Sequence, residues 1–338
     1  MGSTSLPAIK LFLQAEQFYR RGEWDSARAY AERAVAVDSN FTLALHRIPL
    51  ALWWGDENTT PMLLRAGARN HGLAPRESLL VTVDSLWGAL YEGIGTSWPL
   101  LRRLNGTLGE AVTRYPEDPE LWYMTGEMGY HFGGQVSPRL SAGFSFDAFA
   151  KAIELDSAFA PAYEHIVDLA LRLREPEAAR KYAEAYLRLG FDPKTAASLK
   201  AGLDLLAHPE APSPATTAFL DTAPMEQVRH VWENIEGAVD SGEAAVTAAR
   251  AFAASDLGTD SRFAERQLWT LARALAYRGH FREAARELES HRPWRQFFTS
   301  LIAADLLPLG GLSRGAAAEW LESLLREGSI WAWAGLGW

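Results

Sequence analysis

The chain has 338 residues, 48% of them hydrophobic and 22% charged, which places it among folded proteins and outside the range of disordered ones. A formal charge of −9, from 42 acidic and 33 basic residues with no Lys/Arg block, argues against a phosphate-tracking surface and so against a nucleic-acid partner. Cysteine is absent, which removes disulfides and thiolate chemistry together; with no stretch of about 20 apolar residues and no charged-then-apolar leader, a cytoplasmic chain without a membrane partner is the expectation.

In chain order, the first predicted element is a helical hairpin. Leu11, Ala15 and Phe18 share one helical face, Gly22 marks the turn, and Trp24, Ala27, Ala31 and Ala34 line the returning helix, where small side chains let two helices approach closely. The hairpin ends in a pattern that recurs far downstream. Ala34, Asp38, Ser39, Phe41 and Ala44 match Ala152, Asp156, Ser157, Phe159 and Ala162 position for position, each set reading as a helix end, an Asp-Ser cap with an apolar staple, and a new helix start.

Leu45 to Asn70 and Pro75 to Tyr115 each read as two helices. A further hairpin starts at Pro116, with Trp122 and Gly126 in its first helix and Ala152 in its second; the glycine- and serine-rich stretch Phe132 to Gly143 between them reads as an inserted loop. Tyr163, Val167, Ala179 and Ala183 mark the next unit, and Lys194 to Ala207 another helix. Three prolines between His208 and Pro214 predict a boundary, giving an N-terminal array over 4–207, a linker over 208–214 and a C-terminal array over 215–338. In the last part Leu268, Leu271, Ala272, Leu275, Gly279, Phe281, Ala284 and Leu288 repeat the grammar of the first hairpin, and Ser313 suits a helix cap. The predicted fold class is therefore all-α, a solenoid of stacked antiparallel helical hairpins.

These hairpins resemble the tetratricopeptide repeat, whose pattern runs large residue, small residue, aromatic, glycine turn, alanine, large apolar residue. The opening Thr4 to Glu16, followed by Arg20 to Ala27, also looks like the C-terminal repeat regions of large bacterial signalling proteins, in which a kinase, cyclase or regulator domain precedes the repeats. The resemblance implies a right-handed superhelix whose concave groove is lined by the first helix of each hairpin. At the matching positions and their neighbours stand Phe12, Glu16 and Tyr19; His46, Trp53 and Trp54; Tyr123, Glu127 and Tyr130; Glu164, Asp168 and Leu171. The set is aromatic and acidic, which fits a protein or peptide partner with basic or aromatic side chains.

Catalytic signals are few. Gly311-Leu-Ser313-Arg-Gly315 satisfies G-x-S-x-G, but the helical stretch before it offers no strand-turn-helix elbow. The eight histidines include no H-E-x-x-H and no histidine pair at helical spacing, and Gly93-Ile-Gly95 is too short for a dinucleotide fingerprint, so no metal and no cofactor is expected. The leading expectation is a non-enzymatic scaffold. A second is a small-molecule sensor in which the segment around Gly133 and Gly134 closes over a ligand. A third is an α/α-toroid enzyme acting on carbohydrate, with Asp56, Glu57 and Glu127 as its acids. An open groove suits a peptide, an enclosed pocket a metabolite, and a ring joining first to last helix a toroid.

Overall fold

A computed structural model describes residues 2–52, 59–91, 97–136, 142–238, 242–256, 264–290 and 315. Among these the chain is all-α, with no strand. It folds as two compact units, Met1–Ile166 with Arg188–Asp192, and Val167–Leu187 with Pro193–Trp338.

In the first unit the helices are α1 (Leu6–Arg20), α2 (Trp24–Val37), α3 (Thr42–Leu50), α4 (Thr59–Ala68), α5 (Pro75–Tyr91), α6 (Ser97–Arg114), α7 (Pro119–Val136) and α8 (Ala142–Leu155), followed by a single 3-10 turn, Ala160–Tyr163. Each packs on the next, so the unit is a run of four antiparallel hairpins. The small residues expected to allow close packing do so: Ala15, Ala27, Ala31 and Ala34 are fully buried. At Gly126 a Cβ would stand 2.8 Å from the Phe149 ring, so only glycine admits the approach of α8 to α7.

The duplicated sequence is duplicated in its hydrogen bonds. The N–H of Asp38 donates to Ala34 O and that of Asp156 to Ala152 O, both at 2.9 Å; Phe41 and Phe159 donate to the Asp38 and Asp156 carbonyls, both at 3.0 Å. Each Asp side chain then accepts the N–H two residues on, from Asn40 and Ala158, again at 3.0 Å. Phe41 and Phe159 are buried as the staples of these turns. Beyond this point the copies diverge. Thr42–Leu50 is a regular helix, whereas Ala160–Tyr163 is a 3-10 turn and Glu164 and His165 lie in a turn before α9 (Ile166–Arg172).

The segment after α8 returns to the start of the unit. Ala160–Tyr163 packs on α1 as well as on α8. Arg20 of α1 pairs with Asp156 and lies over the Phe159 ring, and Tyr19 meets Phe159 at 6.4 Å between ring centres. The first helices of the hairpins consequently face one another. Of the stretch Phe132 to Gly143 expected to be a loop, the part to Val136 is instead the last turn of α7, running through Gly133 and Gly134, Ala142 and Gly143 open α8, and 137–141 lie outside the described residues. Phe132, buried and in edge contact with Trp87 at 5.0 Å, anchors that turn against the poor helix propensity of two glycines.

The second unit contains α10 (Pro176–Leu189, apart from its last two residues), α11 (Pro193–Ala207), α12 (Pro214–Thr222), α13 (Met225–Ile235), α14 (Gly242–Ala254), α15 (Ala264–Tyr277) and α16 (Phe281–Ser290), together with α9 from Val167 onward. Val228, Val231, Trp232, Ala248, Phe252, Leu275, Ala284 and Leu288 belong to one buried cluster there. The proline-rich segment 208–214 lies inside this unit. Asp204 of α11 accepts the N–H of Ser213, and Ser213 caps α12 through the N–H of Thr216, which makes the segment a tied turn between two packed helices.

The turn after the first helix of a hairpin has one geometry in three places. Gly22 and Glu23 donate to Tyr19 O and Phe18 O, Arg174 and Glu175 to Leu171 O and Ala170 O, Gly279 and His280 to Ala276 O and Leu275 O. This is the Schellman pattern, which needs a left-handed residue after the helix. Gly22 and Gly279 supply it at φ 69° and 80°, and Arg174 adopts it at φ 60°.

Candidate functional site

Because the first helices of the first unit face one another, the side chains expected to line an open groove meet across a largely buried inner face. Arg47 of α3 is its centre. Its Nε and Nη2 donate to Glu16 of α1 at 2.5 and 3.0 Å, and Nη2 also reaches Glu120 of α7 at 2.9 Å. Arg76 of α5 holds the other oxygen of Glu120 at 2.8 Å and takes Asp118 at 2.6 Å. Burial pushes the Glu120 carboxyl up, but Arg47 and then Arg76 outweigh it and bring it down to about 2. Tyr19 lies under the Arg47 guanidinium, and burial raises its phenol well above the ordinary value. His46 Nε2 stands 2.6 Å from Asp84 Oδ2, both residues being buried.

The second part of the face gathers at the C-terminal half of α7. Glu127 is buried, and its two carboxylate oxygens turn to two imidazoles: Oε2 stands 3.5 Å from His131 Nε2, and Oε1 stands 3.6 Å from His165 Nε2. Burial raises the Glu127 carboxyl, but the charge of His165 and the close approach and charge of His131 hold it below its ordinary value. Tyr130 stacks flat on His165 at 4.0 Å and 12°, and Trp87 meets His131 edge-on at 5.6 Å. Tyr130, His131 and His165 are half-buried and Glu164 is exposed, so this cluster reaches solvent, whereas Arg47 and Glu120 at the centre of the ion-pair network are buried. Among the described residues, Glu127, His131 and His165 are the set whose donor atoms converge as metal ligands would.

The structure thus brings Glu16, Tyr19, His46, Tyr123, Glu127 and Tyr130 into one unit, on facing or adjoining inner helices, but mostly as buried residues rather than an open lining. Phe12 packs against Phe41 at 4.9 Å between ring centres within a buried core cluster. Asp168 belongs to the second unit. It is fully buried, accepts the Gly237 N–H at 2.5 Å and pairs with Arg172 at 2.6 Å, while Arg172 and Arg273 both reach Glu236. Leu171, also in that unit, packs beside its buried cluster. Trp53, Trp54, Asp56, Glu57, Ser313 and the C-terminal tryptophans lie outside the described residues. Of the acids expected to give the face its negative character, Glu16 is neutralised by Arg47 and Asp168 by Arg172.

Arg47, Arg76, Asp84, Trp87, Glu120, His131 and His165 were not legible as site residues from the repeat pattern. His131 could have been found, because it follows Glu127 by four residues and so shares its helix face, a spacing that a search for histidine pairs passes over. His165 is brought to that face only by the turn before α9.

No protein-family model and no curated protein matches the chain. Among solved structures, it is similar to "MamA RS-1 ArsTM double mutant" at 15% identity and a TM-score of 0.29, covering 56% of this chain and 97% of the other. "MamA 41-end from Desulfovibrio magneticus RS-1" gives 15% and 0.28 over the same shares. The Cut9-Hcn1 hetero-tetramer of APC/C gives 14% and 0.31, covering 99% of this chain and 76% of the other. The fold assignment rests on the helices themselves. No helix among the described residues is long and apolar enough to cross a membrane.

Proposed function

We propose that the chain is a non-catalytic recognition module that binds a protein or peptide partner at the solvent-reaching end of the inner face of its first unit. The observation that carries this reading is the cluster of Tyr130, His131, Glu164 and His165. It is dense in aromatic and polar groups, partly exposed, and fixed in place by stacking among its own rings and by ring contacts with buried Trp87 and Phe149, so little side-chain freedom is lost on binding. The Arg47 network beneath it keeps the first helices in register. A partner at this surface needs an aromatic or polar side chain more than a basic one, because of the acids expected to attract cations in this unit Glu16 is held by Arg47 and Glu127 faces two imidazoles. The tie to bacterial signalling rests on the N-terminal resemblance alone.

A second reading, a small polar ligand enclosed by the first unit, is favoured by Arg47 Nη1, Asp84 Oδ1 and Glu127 Oε1. All three atoms are buried without a hydrogen-bond partner among the described residues. Quantitative capture from the source lysate tests both readings, with wild type compared with Tyr130→Ala and Glu164→Lys. Protein retained by wild type, lost with either variant and binding directly when purified supports the first; no such protein, with a small molecule carried through native mass spectrometry, supports the second.

A further inference from the structure

We propose that Glu127, His131 and His165 form a site for a divalent transition-metal ion of the zinc class, held by one carboxylate and two imidazoles with a remaining position open to solvent. The distances decide between this and a plain hydrogen-bonded cluster. A hydrogen bond between these groups would close to about 2.7–3.2 Å. The two Glu–His contacts instead stand at 3.5 and 3.6 Å. Ligand atoms around a tetrahedral ion with bonds of about 2.0–2.2 Å lie about 3.3–3.6 Å apart, and each imidazole Nε2 stands at that spacing from one of the two Glu127 oxygens, so a small turn of the carboxylate aims one oxygen at a centre shared with both rings.

Further observations point the same way. All three donor atoms lie within 4.8 Å of one another, although His165 comes from a different part of the chain. The two imidazoles meet at 85° with 5.5 Å between ring centres, a crossing that lets both Nε2 atoms address one point. Glu127 Oε1 is buried with no hydrogen-bond partner among the described residues, a cost that an ion would remove. Tyr130 stacked on His165 and the Trp87 edge on His131 hold both rings in place. Two nitrogens and one oxygen select the zinc, cobalt and nickel class over calcium or magnesium, which take oxygen sets. The side chains of His131 and His165 are 31% and 19% exposed against 5% for Glu127, so the ion enters from the solvent side and keeps a position there for water or for a donor atom of a partner.

The inference does not depend on the recognition reading, because the ion is measured on the chain alone. The full chain, stripped with a chelator, is titrated with Zn²⁺ by calorimetry and with Co²⁺ by visible absorption. One ion per chain is expected, with the intense absorption of low-coordinate cobalt. His131→Ala, His165→Ala and Glu127→Gln should each weaken binding at least tenfold, with helical content checked by circular dichroism. His208→Ala, which removes an exposed histidine of the second unit, should leave it unchanged. Absence of saturable binding, or binding that survives loss of both His131 and His165, overturns the proposal.

Discussion

The guanidinium carbon of Arg47 lies 3.9 Å from the centre of the Tyr19 ring, while its nitrogens hold Glu16 on one side and Glu120 on the other. One cation thus joins α1, α3 and α7 from within. Its side chain is 4% exposed, so the pairings are made away from solvent screening. Arg47→Met should lower the stability of the first unit by about 3–5 kcal/mol, because it leaves Glu120 with one cationic partner in place of two. Chemical denaturation followed by circular dichroism measures this. A loss below about 1 kcal/mol would mean that the network does not hold the helices together.

At the three equivalent hairpin turns, Arg174 carries the left-handed conformation that Gly22 and Gly279 adopt freely. A side chain in that region costs roughly 1–2 kcal/mol. Arg174→Gly should therefore raise stability by about 1 kcal/mol, and Gly22→Ala should lower it by a similar amount. Thermal unfolding of the two variants would show opposite shifts; two shifts of the same sign would contradict the shared turn geometry.

Gly126→Ala tests the contact between α7 and α8. The added Cβ would meet the Phe149 ring at 2.8 Å, and Phe149 is fully buried, so the ring has little room to yield. A loss of about 1–3 kcal/mol is expected in denaturant unfolding. Wild-type stability in this variant would show that the helices can move apart at no cost.

These three positions also show how far the sequence could be read. Gly22, Gly126 and the buried alanines were legible because local geometry alone demands small or left-handed residues there, and so the hairpins and the all-α class could be read directly. Arg174 was hidden, since nothing marks an arginine as a turn residue. The inward closure of the first unit was hidden too, because Arg20–Asp156 and Arg47–Glu120 join residues far apart in sequence. An open groove and a buried inner face share one pattern of first-helix residues, and only the curvature of the stack distinguishes them. The same limit separates Glu127, with its two imidazoles in the first unit, from Asp168 in the second.

Asp168 gives a pH signature. Burial pushes its carboxyl up to about 6, against the pull of Arg172 and the Gly237 N–H, whereas in the unfolded chain it titrates near 3.9. Between those values the folded state binds more protons, so this group's contribution is fully present below about pH 4 and is lost as pH rises through about 6. The stability of wild type relative to Asp168→Asn should fall by about 2–3 kcal/mol across that window. Urea unfolding at half-unit pH steps, followed by circular dichroism, checks it. A flat or rising difference would place the carboxylate, already ionised, within its pairs with Arg172 and Gly237.

The claim on which the account turns is that partners meet the first unit at the Tyr130 cluster. A photo-crosslinking phenylalanine analogue placed at Tyr130, and separately at exposed Arg103 on α6, tests it in the source lysate under identical irradiation. One dominant protein adduct is expected from position 130, suppressed by excess unlabelled wild-type chain, and none from position 103. Adducts of equal yield at both positions, or a suppressible adduct at 103 alone, would contradict it.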